Sequence, residues 1–186
     1  MICYCVNMSL EHYIPYTPDD QTRAVDTIHY GPEGGRDFTE YCKIFNLKRE
    51  DLEGKRILDL GAGSELRFAE GVKERGINAE VISYSPGFLD EYTRARALLT
   101  ASTDVKKRLV VGMGEQLPFQ DGAFDMILSI HVADYVHARM NERLFLEEIA
   151  RTLAPGGMAY IYPISALKGL LETEGTTLFD GKAPIC

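Results

Sequence analysis

Short apolar runs alternate with segments of helical periodicity over most of this chain of 186 residues. The runs are rich in Val, Ile, Leu and Tyr, which is typical of buried strands. They are RILDL (56–60), AEVIS (79–83), RLVVG (108–112), FDMILSI (124–130) and MAYIYPI (158–164). Strands that alternate with helices form right-handed crossovers and a parallel sheet covered on both faces. The sequence therefore predicts an α/β fold with a doubly wound, mostly parallel sheet.

The segments between the predicted strands carry the periodicity and the end signals of helices. The predicted helices run from about 36 to 45, from the turn at 61–65 to about 75, from about 89 to 100, and from 143 to 153, where Pro155-Gly156-Gly157 ends the last one. Residues 1–34 differ, because their prolines and glycines exclude one long helix. We expect residues 1–34 to form an arm or lid and residues 35–186 to form the α/β domain.

Charge and composition disfavour several classes of function. The chain has 20 Lys and Arg against 28 Asp and Glu, a net charge of −8, which disfavours nucleic acid as a partner. No apolar run approaches the roughly 18 residues needed to span a bilayer. The four cysteines lack the spacing of a zinc knuckle or a redox pair. We expect a cytoplasmic protein with reduced thiols, no membrane segment and no bound metal.

A glycine-rich turn follows the first predicted strand, in the run ILDLGAGSE (57–65). Glycines let the backbone approach a ligand closely, and the helix that follows offers free N–H groups. Such a turn also simply tightens strand-to-helix packing, so alone it does not specify a ligand. A dinucleotide fingerprint requires Gly or Ala where Leu66 stands, and an acid where Ser83 ends the second strand. A nucleotide diphosphate is therefore disfavoured as the ligand.

Three segments taken together resemble signatures of class I methyltransferases that use S-adenosylmethionine. They are ILDLGAG (57–63), VGMGEQLPFQDGAFDMILSIHVADYV (111–136) and FLEEIARTLAPGGMAYI (145–161), in the order and at the distances of that family. The resemblance covers about residues 52–163 and is closest to the small-molecule methyltransferases that carry an LPF segment. It implies a Rossmann-like fold, S-adenosylmethionine as cofactor, and methyl transfer to a small-molecule acceptor.

The resemblance also implies a set of cofactor contacts. Asp59 would hold the amino group of the cofactor through a charge-assisted hydrogen bond; its alternative role is only to orient the glycine turn. Gly61 and Gly63 would leave room for the methionine and ribose portions. Gly114 and Glu115 would contact the adenine through their backbone. The full set of implied contacts is Asp59, Gly61, Ala62, Gly63, Ser83, Tyr84, Met113, Gly114, Glu115 and Ile130.

Three positions depart from the pattern of the family. Glu65 replaces a third glycine, where its charge would crowd the carboxylate of the cofactor. Ser83 replaces an acid that binds both ribose hydroxyls, and Met113 replaces an acid at the adenine amino group. The two lost acids would weaken affinity by on the order of a hundredfold. A second interpretation is therefore a methyltransferase-like binding or regulatory protein, and a third is another nucleotide-dependent enzyme on this fold.

The loop after the fourth strand, HVADYVH (131–137), carries candidates for the reacting end. His131, Asp134 and Tyr135 would bind or deprotonate an acceptor, since histidine transfers protons near neutral pH. The alternative is that His131 packs over the cofactor while Asp134 and Tyr135 begin a short helix. Methyl transfer is compatible with both, because the cofactor carries the chemistry and the protein supplies alignment.

The C-terminal part of the chain is short for this family, with 22 residues after Ile164. Family members continue with a helix and an antiparallel hairpin that complete a seven-stranded sheet. Here SALKGLLETEG (165–175) predicts a helix, and TTLFDG (176–181) at most one strand. We expect a sheet shortened at the C-terminus, whose last strand is absent or contributed by something else. An exposed strand edge favours association, so we expect a homodimer or a loose C-terminus; alternatively the chain is a fragment of a longer protein.

Overall fold

A computed structural model describes residues 3–4, 35–89, 91–132, 141–162 and 178–179. Within these ranges strands and helices alternate as the sequence predicts. The strands are β1 (Cys3–Tyr4), β2 (Arg56–Leu60), β3 (Glu80–Tyr84), β4 (Leu109–Val110), β5 (Phe124–Ile130), β6 (Leu153–Tyr162) and β7 (Leu178–Phe179). The helices are α1 (Phe38–Phe45), α2 (Arg49–Leu52), α3 (Arg67–Glu74), α4 (Glu91–Thr100), α5 (Thr103–Lys106) and α6 (Glu142–Thr152). None of these helices is long and apolar enough to cross a membrane.

The described strands form one sheet in the order β4-β3-β2-β5-β6-β1-β7. The five strands from β4 to β6 are parallel, which confirms the predicted mostly parallel sheet. The chain order reverses between β2 and β5, and α/β sheets bind ligands beyond the carboxyl ends of the strands at such a point. The turn after Leu60 and the loop after Ile130 therefore begin at the edge where a ligand is expected.

Helices cover both faces of this sheet. One face packs against α1 and α3 through buried side chains such as Phe45 and Phe68. The opposite face packs against α6 through Phe145, which is also fully buried. Successive residues of a strand point to opposite faces, so Ile57 and Leu58 of β2 lie in different core clusters. The residues of β2 and β3 that share the face of Ile57 consequently point towards α1 and α3.

The edge beyond β6 is completed by both ends of the chain. Tyr4 of β1 pairs with Ala159 of β6, and Cys3 pairs with Phe179 of β7, both antiparallel. The sheet therefore keeps seven strands although its C-terminal part is short, because the N-terminal strand occupies the place between β6 and β7. The free backbone groups of β6 are the physical reason, since an open strand edge pairs with any available strand. The predicted arm or lid at 5–34 and the predicted helix at 165–175 lie outside the described residues.

Several boundaries differ from the predicted ones for identifiable reasons. Helix α1 begins at Phe38 because Asp37 and Glu40 form a reciprocal capping box, with bonds of 2.9 and 3.0 Å. Strand β6 begins directly after α6, so Pro155-Gly156-Gly157 lies within the strand, next to a register shift between β5 and β6. Proline and glycine are tolerated in strands at such irregularities. The sequence does not predict α5, whose four residues carry too little periodicity.

Candidate functional site

The glycine turn after β2 contacts both neighbouring parts of the sheet, through backbone hydrogen bonds to β3 and through a side chain that follows β5. Gly61 and Gly63 have φ values of +92° and +68°, in the left-handed region that favours glycine. The N–H groups of Gly61 and Ala62 donate to the carbonyl of Tyr84 at 2.7 and 3.3 Å. The side chain of Val132 packs so closely that a Cβ at position 61 would collide with its Cγ2 atom. A ligand that contacts this turn shares it with Val132.

Replacing Gly61 by Ala is expected to destabilise the protein by about 2 kcal/mol, because a left-handed conformation and a steric collision act together. Gly54→Ala is the matched control, since Gly54 also has a positive φ, of +72°, but a Cβ there meets nothing within 4 Å. Urea denaturation should show the smaller loss for Gly54→Ala, and Val132→Ala should recover part of the loss in Gly61→Ala. Equal losses at positions 54 and 61 would contradict the contact with Val132.

Asp59, the penultimate residue of β2, is fully buried beside this turn. Its Oδ1 atom accepts a hydrogen bond of 2.7 Å from the hydroxyl of Tyr41, whereas Oδ2 has no hydrogen-bond partner among the described residues. Burial raises the pKa of Asp59 to about 7, and the bond from Tyr41 opposes that rise. A buried carboxylate oxygen without a partner is energetically costly. This oxygen is therefore suited to a cationic donor supplied by a ligand.

Ser83 lies beside Asp59 on the neighbouring strand. The two residues are register partners in β2 and β3, which places their side chains on the same face of the sheet. Ser83 is fully buried, and its Oγ atom has no hydrogen-bond partner among the described residues. Two buried and unsatisfied polar groups thus lie side by side at the carboxyl ends of β2 and β3. One hydroxyl can donate one bond and accept others, so Ser83 suits a single ligand hydroxyl.

The charge of Glu65 is compensated within the protein. Its Oε1 atom accepts a bond of 2.9 Å from Arg96, and its Oε2 atom accepts one of 2.6 Å from Arg67. These two bonds lower the pKa of Glu65. Arg67 also donates to the carbonyl of Gly35 at 3.5 Å, and Gly35 packs against Gly63 of the turn. The carboxylate that the sequence places against the cofactor is therefore paired with two arginines, which weakens the expected repulsion.

The resemblance implies a cofactor contact at Tyr84, and the side chain of this residue lies on the face of the sheet opposite to Ser83. It follows Ser83, so its ring points to the opposite face, where it is fully buried. The hydroxyl donates to the carbonyls of Met113 and Gln116 at 2.9 and 3.3 Å. A Cβ at Gly112 would collide with this hydroxyl. The side chain of Tyr84 supports the loop after β4, and only its carbonyl reaches the glycine turn.

The loop after β4 is largely buried, including the three predicted contacts Met113, Gly114 and Glu115. A Cβ at Gly114 would lie 2.8 Å from the ring of Phe145, so the glycine allows α6 to approach this loop. Neither carboxyl oxygen of Glu115 has a hydrogen-bond partner among the described residues. Burial raises the pKa of Glu115 to about 7, and the backbone of Glu115 itself and of Asn141, which lies close to the carboxyl group without forming a hydrogen bond of normal geometry, opposes that rise. The sequence predicts a backbone contact here and does not reveal this buried carboxyl group.

Of the three predicted catalytic residues, only His131 is among the described residues, and it lies directly after β5. Ile130 is buried in the core that faces α1, and His131 follows with a φ of +60°, which is uncommon outside glycine. The N–H group of His131 donates to the carbonyl of Tyr162 at 2.5 Å, and the two rings meet edge-on. His131 is thus fixed at the carboxyl edge of the sheet. Asp134 and Tyr135 lie outside the described residues.

Tyr41 is the site residue that sequence reasoning misses. Its side chain is buried, and burial followed by the nearby Asp59 charge raises its pKa well above the usual value. Its ring stacks on Phe68 of α3 with centroids 4.6 Å apart. The helical spacing of α1 predicts only that Tyr41 faces a core. No sequence signal connects it with Asp59, because the two residues are 18 positions apart.

Comparison with known proteins agrees with this architecture. Residues 58–161 match a family model described as a methyltransferase domain. Norajmaline N-methyltransferase from Rauvolfia serpentina is 31% identical over 103 residues, which are 55% of this chain and 33% of that protein. Demethylmenaquinone methyltransferase from Corynebacterium glutamicum (strain R) is 33% identical over 111 residues, which are 59% of this chain and 42% of that protein. The chain thus spans less than half the length of these curated relatives.

Solved structures share the fold. The structure of a SAM-dependent methyltransferase from Aquifex aeolicus aligns with a TM-score of 0.51 and 17% identity, covering 76% of this chain and 89% of that one. At this identity the likeness concerns the fold alone. It is consistent with the Rossmann-like architecture that the three sequence signatures imply.

Proposed function

Because the chain belongs to the methyltransferase domain family, we propose that it transfers a methyl group from S-adenosylmethionine to a small-molecule acceptor. The observation that carries this proposal is the pair of buried and unsatisfied groups, Asp59 Oδ2 and Ser83 Oγ. They lie beside the glycine turn at the point where the strand order reverses, which is where sheets of this kind bind ligands. No packing role within the described residues explains two adjacent polar groups left without partners.

The described residues fit the polar parts of the cofactor. The free oxygen of Asp59 would accept a hydrogen bond from the α-amino group, whose positive charge compensates the buried carboxylate. The hydroxyl of Ser83 would bind one ribose hydroxyl, and the thioether of Met113 would pack against the adenine ring. The backbone at Gly61 and Gly63, with that of Ala62, Gly114 and Glu115, allows close approach of a ligand. When bound, the cofactor supplies a methyl group already activated by the sulfonium centre.

The acceptor would lie at the carboxyl end of β5. His131 is held there by its backbone bond to Tyr162 and would orient the acceptor or take up its proton. Asp134 and Tyr135 follow within four residues and are assigned to the same end of the site. A small acceptor is supported by the relatives, whose names specify norajmaline and demethylmenaquinone. The net charge of −8 argues against a nucleic acid as the acceptor.

The second candidate function is a methyltransferase-like protein that binds or regulates without efficient catalysis. It is favoured by Ser83 and Met113, which stand where the pattern of the family implies two acids. The close packing of Val132 on Gly61 favours it too, because this side chain occupies part of the space beside the turn. The two candidates differ in one measurable property, the affinity for the adenosyl compound.

Isothermal titration calorimetry with S-adenosylhomocysteine tests the proposal. We expect a dissociation constant in the micromolar range, and no heat at millimolar ligand would favour the second candidate. Ser83→Asp should tighten binding by about tenfold at pH 8, because a carboxylate binds both ribose hydroxyls. Ser83→Asn is the matched control, since it has nearly the same size and no charge. If neither variant changes the dissociation constant, the ribose does not lie at Ser83.

A further inference from the structure

Asp59 is held by a residue that lies outside the strand and the glycine turn of the site. We propose that Tyr41 of α1 is a positioning residue that presents the free oxygen of Asp59 to the amino group of the cofactor. The inference rests on the proposed function, which provides the ligand. It assigns to the helix before the family-matched region, residues 58–161, a part in cofactor binding that the family signatures do not contain.

The first argument is the geometry of the carboxylate. The last torsion of an aspartate side chain is soft, so its two oxygens exchange places easily unless one of them is held. The hydroxyl of Tyr41 donates to Oδ1 at 2.7 Å, and this leaves Oδ2 as the oxygen without a partner among the described residues. The bond therefore decides which oxygen is available and in which direction it points.

The second argument is that the Tyr41 hydroxyl is itself fixed. The ring of Tyr41 stacks on Phe68 of α3 at 4.6 Å and meets Phe45 edge-on at 6.1 Å. A tyrosine confined between two rings has little freedom to turn away. The side chain is therefore a rigid support for Asp59.

The third argument is that α1 is anchored at its beginning, where it approaches the glycine turn. The ring of Phe38 stacks on Phe68 at 5.9 Å, and the guanidinium group of Arg75 lies 4.4 Å from the centre of the Phe38 ring. Arg67 donates to the carbonyl of Gly35, just before the N-terminal end of this helix. These contacts hold α1 against α3, so the distance from Tyr41 to Asp59 does not depend on one bond alone.

The electrostatic surroundings make the bond important near neutral pH. Burial raises the pKa of Asp59 to about 7, and the Tyr41 hydroxyl favours the charged form. The register neighbours of Asp59, Ser83 on β3 and Leu128 on β5, carry no charge. On and beside α1, the charges of Arg36 and Glu40 act on the pKa of Tyr41 in opposite directions. Without the hydroxyl, the carboxyl group would hold its proton to a higher pH, and a smaller fraction of it would be charged and able to pair with an ammonium group near neutral pH.

The experiment compares Tyr41→Phe with Tyr160→Phe by calorimetry between about pH 6 and pH 8.5. Tyr160 is a matched control, because it belongs to the same buried cluster and its hydroxyl contacts the thioether of Met158. The two ligands are S-adenosylhomocysteine and 5′-deoxy-5′-methylthioadenosine, which lacks the amino acid portion. Tyr41→Phe should weaken the first ligand by about tenfold at pH 7 and less at pH 8.5. It should leave the second ligand unchanged, as Tyr160→Phe should leave both.

The outcomes separate this inference from the proposed function. If Tyr41→Phe weakens both ligands equally, Tyr41 has only a structural role; if it weakens neither, Asp59 does not need it. Either result overturns the inference while the wild-type affinity supports the proposed function. Absence of binding by the wild-type protein overturns both. If Tyr41→Phe does not fold, 3-fluorotyrosine placed at position 41 gives the opposite sign, because its more acidic hydroxyl should extend binding to lower pH; an unchanged pH dependence would overturn the inference.

Discussion

Replacing Asp59 by Asn is expected to stabilise the ligand-free protein at pH 8 and, at the same time, to reduce its affinity for S-adenosylhomocysteine by about a hundredfold. Both effects have one cause, the ionised carboxylate buried without a full set of partners among the described residues. Its pKa rises from the usual 3.8 to about 7 in the folded protein. The ionised form is therefore costly in the empty site and valuable only when an ammonium group is present.

The sign of the pH dependence follows from this shift. Below pH 3.8 the carboxyl group is protonated in both the folded and the unfolded state, so its favourable contribution to stability is complete. Between pH 3.8 and about 7 the unfolded state loses its proton first, and the free energy of unfolding decreases. At about 1.4 kcal/mol per pH unit the loss approaches roughly 4 kcal/mol. The Asp59→Asn variant avoids this loss but buries an amide, so we expect a gain of about 2–4 kcal/mol at pH 8.

Urea denaturation at about pH 5 and pH 8 measures this effect. The wild-type protein should be less stable at the higher pH, and Asp59→Asn should reduce the difference. Asp104→Asn is the control, because the side chain of Asp104 is 63% exposed and pairs with Lys73 at the surface. Saturating S-adenosylhomocysteine should stabilise the wild-type protein at pH 8 and should affect Asp59→Asn much less. A wild-type pH dependence in Asp59→Asn would show that its carboxyl group is not the group that titrates.

The sequence predicts the central strands well because they are buried on both faces. The bounds of β2 and β5 agree with the predicted runs, which are short, mostly apolar and typical of strands buried on both faces. The start of β6 is not predicted, because Pro155-Gly156-Gly157 is typical of a turn and only the register shift beside β5 accommodates it in a strand. The place of β1 is not predicted either, because a two-residue strand is specified by its partners.

The resemblance predicts where the residues of the candidate site lie, but it does not predict the hydrogen bonds and ion pairs that they form. Asp59 and Ser83 are correctly expected at the carboxyl edge of the sheet, because both lie near the end of a predicted strand. Tyr41, the partner of Asp59, is 18 positions away, and Arg96, one of the two partners of Glu65, is 31 positions away, at distances that carry no periodic signal. One feature is readable from the sequence: side chains alternate between the two faces along β3, so Tyr84 and Ser83 point to opposite faces of the sheet. The catalytic roles of His131, Asp134 and Tyr135 and the homodimer stay predictions. The pairing of β1 with β6 covers the edge of β6.

Replacing Glu115 by Gln is expected to change the stability of the protein strongly but not its affinity for the ligand. Its side chain is buried, and its pKa rises from the usual 4.5 to about 7. As for Asp59, the unfolded state loses its proton at a lower pH than the folded state. The free energy of unfolding therefore decreases between pH 4.5 and about 7. The ionised form costs roughly 3 kcal/mol at pH 8. Glu115→Gln should therefore stabilise the ligand-free protein at pH 8 by about 2–3 kcal/mol, as measured by urea denaturation.

Glu115→Gln and Asp59→Asn are expected to differ in their effect on ligand affinity. The predicted contact of Glu115 with adenine is made by its backbone, so Glu115→Gln should change the affinity for S-adenosylhomocysteine by less than about twofold. Glu148→Gln is the matched control of opposite sign, because Glu148 accepts bonds of 2.7 Å from Arg151 and from the N–H group of Leu117. Its neutralisation should destabilise the protein by about 1–2 kcal/mol. If Glu115→Gln instead weakens the ligand as strongly as Asp59→Asn, the carboxylate of Glu115 contacts the cofactor directly. The donor that it meets is then the adenine amino group, for which the thioether of Met113 is only a weak acceptor.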